Sequence, residues 1–139
     1  MMISSRKTEY DTLGAEKAIS DFLHFCKAAN ERYTGNIAEQ QELENMTQDI
    51  LHYAELTDNL DRKDANRVYK RLRDVRRKRR VIKNESELLE PVIQWMNANS
   101  PAVKLLERTL GDVRHKQSVI DNRLYTTKTD VMEVEKHDR

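Results

Sequence analysis

The longest regular pattern in the chain lies between residues 65 and 96. Ala65, Val68, Leu72, Val75, Arg79, Ile82, Ser86, Leu89, Ile93 and Met96 alternate steps of three and four without a slip, the heptad spacing of a helix that lays one seam against a neighbour. The spacing predicts a helix over residues 61–97, about 55 Å long at 1.5 Å per residue if continuous. Two seam positions, Arg79 and Ser86, are polar. A second stripe of Val81, Leu88, Val92 and Trp95 accompanies the later half and predicts burial on more than one side. Pro91 removes a backbone donor and crowds the turn before it, so a kink or short break is expected near Glu87 to Glu90.

Upstream, Ala15, Ala18, Ile19, Phe22, Phe25, Cys26, Ala29 and Tyr33 recur at helical spacing and predict a helix over 15–34 that Gly35 stops. Asn36 then reads as the N-cap of a second helix over 37–56, with Leu43, Met46, Ile50, Tyr53 and Ala54 on its apolar face. Downstream, NANSPAV ends one helix and starts another. Ser100 is placed as N-cap and Pro101 at the first helical position, where a missing N–H costs nothing. Val103, Leu106, Leu110, Val113, Gln117, Ile120 and Leu124 give this last helix, 101–125, its own seam. Residues 126–139 turn polar and are expected to form a loose tail or a segment ordered only by a partner; the first ten residues look similar. The expected fold is all-α: an antiparallel bundle of about four helices, one domain over 1–125, built on the long heptad-patterned helix.

Composition agrees with that class and narrows the chemistry. In 139 residues there are only three Gly and two Pro, while charged residues make up 35%, as in helix-rich proteins with few tight turns. Cys26 is the only cysteine, so no disulfide framework exists, and a small core residue is the expected role. No apolar run reaches the ~20 residues of a membrane span, and MMISSRKTEYD has no hydrophobic segment for a signal peptide. The expectation is a cytoplasmic protein without a membrane partner.

The net charge is only +1, yet its distribution is uneven. Residues 67–83 hold ten basic side chains against Asp74, a local balance of +9, and residues 37–64 hold eight acids against Arg62 and Lys63, a balance of −6. Short helix-helix connections give antiparallel packing, so the two segments should meet across a hairpin. Folding about Asn59 brings Glu44 toward Asp74 and Arg73, Glu42 toward Arg76 and Arg77, and Glu39 toward Arg79. Folding the next hairpin about Ala98 brings Gln117 toward Arg79 as well. A seam arginine needs partners in a dry layer, so Glu39, Arg79 and Gln117 are expected to form a polar layer that fixes register.

Not all the basic residues are used this way. With Leu72, Val75 and Ile82 facing inward, heptad arithmetic sends Arg67, Lys70, Arg73, Arg77 and Arg80 outward as a basic ridge. Arg71, Arg76, Lys78 and Lys83 flank the seam. Such a ridge can neutralise phosphates or meet an acidic protein. No aromatic side chain is expected to interleave it for base stacking, and no helix-turn-helix, zinc-finger or RNA-binding signature is present.

Catalytic signatures are missing. Asp49, His52 and Glu55 fall at successive steps of three, half of a bundle-type metal site, but no matching second half exists. There is no glycine-rich phosphate loop and no nucleophile motif. The expectation is a protein without enzymatic activity, cofactor or metal.

DILHYAEL, the acidic turn after it, RDVRRKRR, KNESELLEP and LGDVRHKQSVIDNRLY together resemble a group of small helical proteins encoded in phages and prophages of Gram-positive bacteria, over roughly residues 47–125. The resemblance implies a phage-associated intracellular protein with no catalytic residues to carry over. It favours a binding protein that occludes or modulates a host or phage macromolecule, such as a defence, replication or transcription component. The alternatives are direct DNA or RNA binding through the ridge, and homodimeric assembly through the heptad helix.

Overall fold

The structure, a computed structural model, describes residues 9–137, with side chains described for residues 9–123. The described residues form three long helices: α1, Ala15–Leu56; α2, Arg62–Ala98; and α3, Ser100–His137. The chain is all-helical, but the two helices expected over 15–34 and 37–56 are one.

Gly35 does not stop α1. A single glycine weakens a helix interior by about 1 kcal/mol, a penalty that packing overrides. Asn36 caps nothing; it is buried, and its side-chain amide donates to Glu85 Oε1 at 2.7 Å. The inward positions of α1 run Tyr33, Asn36, Gln40, Leu43, Thr47, Ile50 and Ala54, an unbroken three-four alternation straight through the glycine. Met46 and Tyr53, expected inside, are 37% and 51% exposed. Phe22 and Phe25 are likewise exposed.

The helix boundaries are set locally. Gly14, with φ of 67°, adopts the left-handed conformation that costs glycine nothing. Its carbonyl accepts the Ala18 N–H, and the Asp11 carboxylate accepts the Ala15 N–H at 2.9 Å. Between α1 and α2 the chain reverses at Asn59, whose φ of 57° is the left-handed conformation asparagine tolerates best among non-glycine residues. Asp61 is the N-cap of α2, accepting the Asp64 N–H on its side chain at 2.7 Å and the Ala65 N–H on its carbonyl. At the last boundary the Asn99 carbonyl accepts the Val103 N–H, so the cap falls one residue before Ser100. Pro101 still lies in the first turn, where its missing donor is harmless.

Pro91 leaves α2 unbroken. From Val68 onward the seam of α2 is the one the heptads predict: Val75, Ser86 and Ile93 are buried, and Val68, Leu72, Arg79, Ile82, Leu89 and Met96 are partly buried, while Ala65, expected in it, is exposed. The second stripe is only partly covered: Val81 is 68%, Leu88 75% and Trp95 43% exposed, while Val92 is half-buried. Helix α3 runs on to His137, through residues expected to be tail. The terminal residues 1–8 and 138–139, included in the expected loose ends, lie outside the described residues.

Two compact units divide the chain, Cys26–Ala98 and Met1–Phe25 with Asn99–Arg139, where sequence reasoning treats 1–125 as one. The first is an antiparallel pair of α1 and α2 with a core of Leu43, Ile50 and Val75, against which Val68, Leu72 and Ile82 pack. In the second, the Tyr10 hydroxyl donates to Asp121 Oδ1 at 3.0 Å and Arg114 Nε donates to Glu16 Oε1 at 3.3 Å. Its buried residues include Leu110 and Gln117. Desolvation, and then the bond to Asp121, raise the Tyr10 pKa above the usual phenol value.

Candidate partner-binding surface on the second helix

Charge pairs lock α1 and α2 along both edges of their seam. On one edge Arg32 pairs with Glu85 at 2.5 Å and Lys78 with Glu39 at 3.3 Å. On the other, Glu44 meets Arg76 at 3.8 Å and Arg79 at 2.6 Å. These are the edge pairs of an antiparallel coiled coil. Sequence reasoning anticipated complementary charge across the hairpin but misplaced the partners by up to about a turn. The expected fold about Asn59 puts Glu44 at Asp74 and Arg73, Glu42 at Arg76 and Arg77, and Glu39 at Arg79, whereas Arg76 takes Glu44 in place of Glu42.

The expected polar layer is rearranged accordingly. Arg79, whose side chain is only 22% exposed, takes Glu44 rather than Glu39. The contact is an ion pair whose N–H is not aligned for a hydrogen bond, so Arg79 Nε and Glu44 Oε2 both remain without a hydrogen-bond partner. Glu39 serves Lys78 instead. Gln117 is buried in the other unit with its side-chain oxygen unpartnered. The polar node that sequence reasoning missed is Arg32, Asn36 and Glu85. The hydrogen bond from Arg32, followed by the one from Asn36, holds the Glu85 carboxyl below the usual carboxylate range. An asparagine after a glycine reads as a cap, which hid it.

The outward ridge stands where the heptads put it: Arg67, Lys70, Arg73, Arg77 and Arg80 are all exposed. Arg67 is tied to Asp64 within its own first turns, and Arg73 lies 3.8 Å from Asp74. Among the described residues, Lys70, Arg71, Arg77, Arg80 and Lys83 have no carboxylate within 4.0 Å. These uncommitted cations span about 20 Å of helix. The ridge also has an aromatic neighbour, contrary to expectation. Tyr69 is 63% exposed, and the Arg73 guanidinium carbon sits 5.9 Å from its ring centroid, within cation–π range.

Near the turn, an open cleft of about 350 Å³ lies between the helices, lined by Met46, Asp49, Ile50, Tyr53, Asp64, Arg67, Val68 and Arg71. Its apolar floor and mixed charged rim suit an inserted side chain rather than a reaction. Among the described residues no group of three His, Cys, Asp or Glu side chains is arranged to hold a metal ion, Asp49, His52 and Glu55 included. Nor is any helix among them long and apolar enough to cross a membrane.

No protein family, curated protein or solved structure matches this chain. The chemistry of the surface therefore rests on its own residues. Cys26 is buried and its thiol pKa is raised by burial, the opposite of an activated nucleophile. What α2 offers is recognition: a line of free positive charge followed by exposed apolar side chains on a rigid helix.

Proposed function

We propose that this is a non-enzymatic, phage-associated binding protein that occludes or modulates a host or phage macromolecule, and that α2 is its contact surface. The observation that carries the reading is the set of uncommitted cations, Lys70, Arg71, Arg77, Arg80 and Lys83, beside the exposed Val81 and Leu88. The acids that pair across the hairpin, Glu39, Glu44 and Glu85, serve Arg32, Arg76, Lys78 and Arg79, and none reaches these five cations, so this charge is available to a partner. Steering by such a surface speeds and orients association more than it adds affinity. Exposed apolar side chains beside it favour a protein over a bare phosphate backbone, which offers them little.

Affinity capture from bacterial lysate, with and without nuclease, tests the proposal. A protein partner retained after nuclease and lost in the Lys70→Glu/Arg77→Glu/Arg80→Glu variant is the expected result. Recovery of nucleic acid alone would overturn it.

Tyr69 supports one second reading, direct DNA or RNA binding along the ridge. An exposed aromatic among cations is the combination that stacks on unpaired bases. A gel shift that weakens steeply with salt and is abolished by Tyr69→Ala would favour this reading over the first.

A further inference from the structure

The Arg32–Glu85 and Glu39–Lys78 pairs frame a window on one edge of the hairpin. Residues three and four apart share a helix face. Gly35 lies three residues beyond Arg32 and four before Glu39; Val81 lies three beyond Lys78 and four before Glu85. Both therefore sit between the two ion pairs, Gly35 on α1 and Val81 on α2. Gly35 is helical and exposed, and a Cβ built there would meet nothing within 4 Å. Nothing within the described residues requires a glycine at this position, although glycine weakens a helix interior.

From the window a row of exposed apolar residues continues along α2. Val81, Leu88 and Trp95 recur every seven residues and are 68%, 75% and 43% exposed, with half-buried Val92 between the last two. Seven-residue spacing is the geometry of a coiled-coil seam, and α2 has already used its other seam on α1. The row is about 21 Å long. Its N-terminal end is net basic: Arg77 lies one turn before Val81 and Arg71 further back on the same side, neither with a carboxylate within 4.0 Å among the described residues, while the single acid there, Asp74, lies 3.8 Å from Arg73.

We infer that the Val81–Leu88–Trp95 row, with the Gly35 notch at its head, is a docking seam for an amphipathic helix of a protein partner. That helix is acidic where it passes Arg71 and Arg77 and apolar where it covers Leu88 and Trp95. The charge gradient of the row selects this occupant. A second copy paired in parallel would bring its own cations to the same end, and one paired antiparallel would set Leu88 and Trp95 against Arg71 and Arg77; nucleic acid has no use for Leu88. A knob of the docking helix enters above Gly35, where a methyl group would stand in its way. The inference deepens the binding function proposed above and rests on it.

Trp95 is the only tryptophan and stands at the far end of the row, so its emission reports coverage. The probe is a synthetic helical peptide of about six turns, with glutamate in its first two turns and leucine at heptad positions in the rest. A version with lysine replacing glutamate, a single-stranded DNA and the protein alone at rising concentration serve as controls. The full-length protein titrated with the acidic peptide should show a saturable blue shift. The lysine peptide should bind at least tenfold more weakly. Leu88→Glu, at an exposed site that leaves folding intact by circular dichroism, should abolish the shift. Gly35→Ala should weaken binding several-fold while raising Tm, a pair of effects that a merely structural glycine would not produce.

No shift with the acidic peptide, an equal response to both peptides, or a response that survives Leu88→Glu would overturn the docking seam. A shift produced by protein concentration alone would assign the row to a second copy, and one produced by DNA would assign it to nucleic acid; either overturns it too. A partner captured from lysate by both wild type and Leu88→Glu would sink the seam while leaving the binding function standing.

Discussion

Two stretches of the α1–α2 hairpin, one near the turn and one at its middle, are built on different principles. Near the turn the seam is apolar, with Leu43 and Ile50 from α1 against Val75, and Val68 and Leu72 beside them. Further along, α1 supplies Asn36 and Gln40 and α2 supplies Arg79 and Ser86, and the helices are held by Arg32–Glu85–Asn36 and by Glu44 between Arg76 and Arg79. Apolar layers stabilise in proportion to the area they bury but accept many partners and registers. Polar layers add little net energy and tolerate few alternatives. The hairpin is thus held mainly by apolar residues, near the turn and again at Cys26, Ala29 and Ile93, and aligned mainly by the polar layers between them.

Substitutions can break this division. The largest effect is expected in the apolar stretch: Leu43→Ala should cost about 2–4 kcal/mol, as for a buried leucine losing its side chain, read by urea denaturation. A loss below about 1 kcal/mol would show that the core is not where stability resides. In the polar stretch, Glu44→Ala should cost only about 1 kcal/mol, because the Arg79 side chain, 22% exposed, keeps partial access to water. The double variant Glu44→Leu/Arg79→Leu should be at least as stable as the wild type but lose specificity. Hydrogen exchange in the double variant would then show residues 32–44 exchanging through more than one state, whereas unchanged protection would refute the aligning role.

Gly35→Ala should raise stability by about 0.5–1 kcal/mol, since the added methyl group meets open space and the glycine's entropy cost disappears. The smallest effect concerns acidity. Glu85 has a lowered folded-state pKa, so its contribution is fully present above its unfolded value of about 4.3 and is lost as pH falls through the folded one. Across pH 3 to 6 the Tm of Glu85→Gln should therefore fall less steeply than that of the wild type. Parallel curves would remove Glu85 from the acid response.

How much of this could be read from the sequence depended on which residues filled the seams. In α2 and α3 the inward positions are mostly apolar and alternate cleanly, so the seams from Val68 to Met96 and from Val103 to Ile120 were legible residue by residue. In α1 the same alternation exists but Asn36, Gln40 and Thr47 occupy it, and hydropathy reads polar seam residues as a break. The glycine before Asn36 then completed a false boundary. The ridge was legible because heptad arithmetic assigns direction. The ion-pair partners were not, because register alone does not say which flank of the seam a long side chain takes: Glu39 reaches Lys78, the neighbour of its expected partner, and Arg79 is met from the other flank by Glu44. The row of Val81, Leu88 and Trp95 was visible as a stripe. Its exposure was not, since a sequence shows that a helix has a second apolar face but not whether anything covers it.

The left-handed Asn59 turn also bears on how the hairpin forms. It brings Ile50 and Val68 together across few intervening residues, whereas Arg32 and Glu85 are 53 positions apart in the chain. Closing a short loop costs less entropy than closing a long one, so the hairpin should zip from the turn outward. The apolar contacts near the turn then form early, while a wrong register is still cheap to leave, and the Arg32–Asn36–Glu85 node closes later, as a check on alignment already reached. Such a chain should fold fast for its length and, when pulled or heated, open first at the end that carries the docking row.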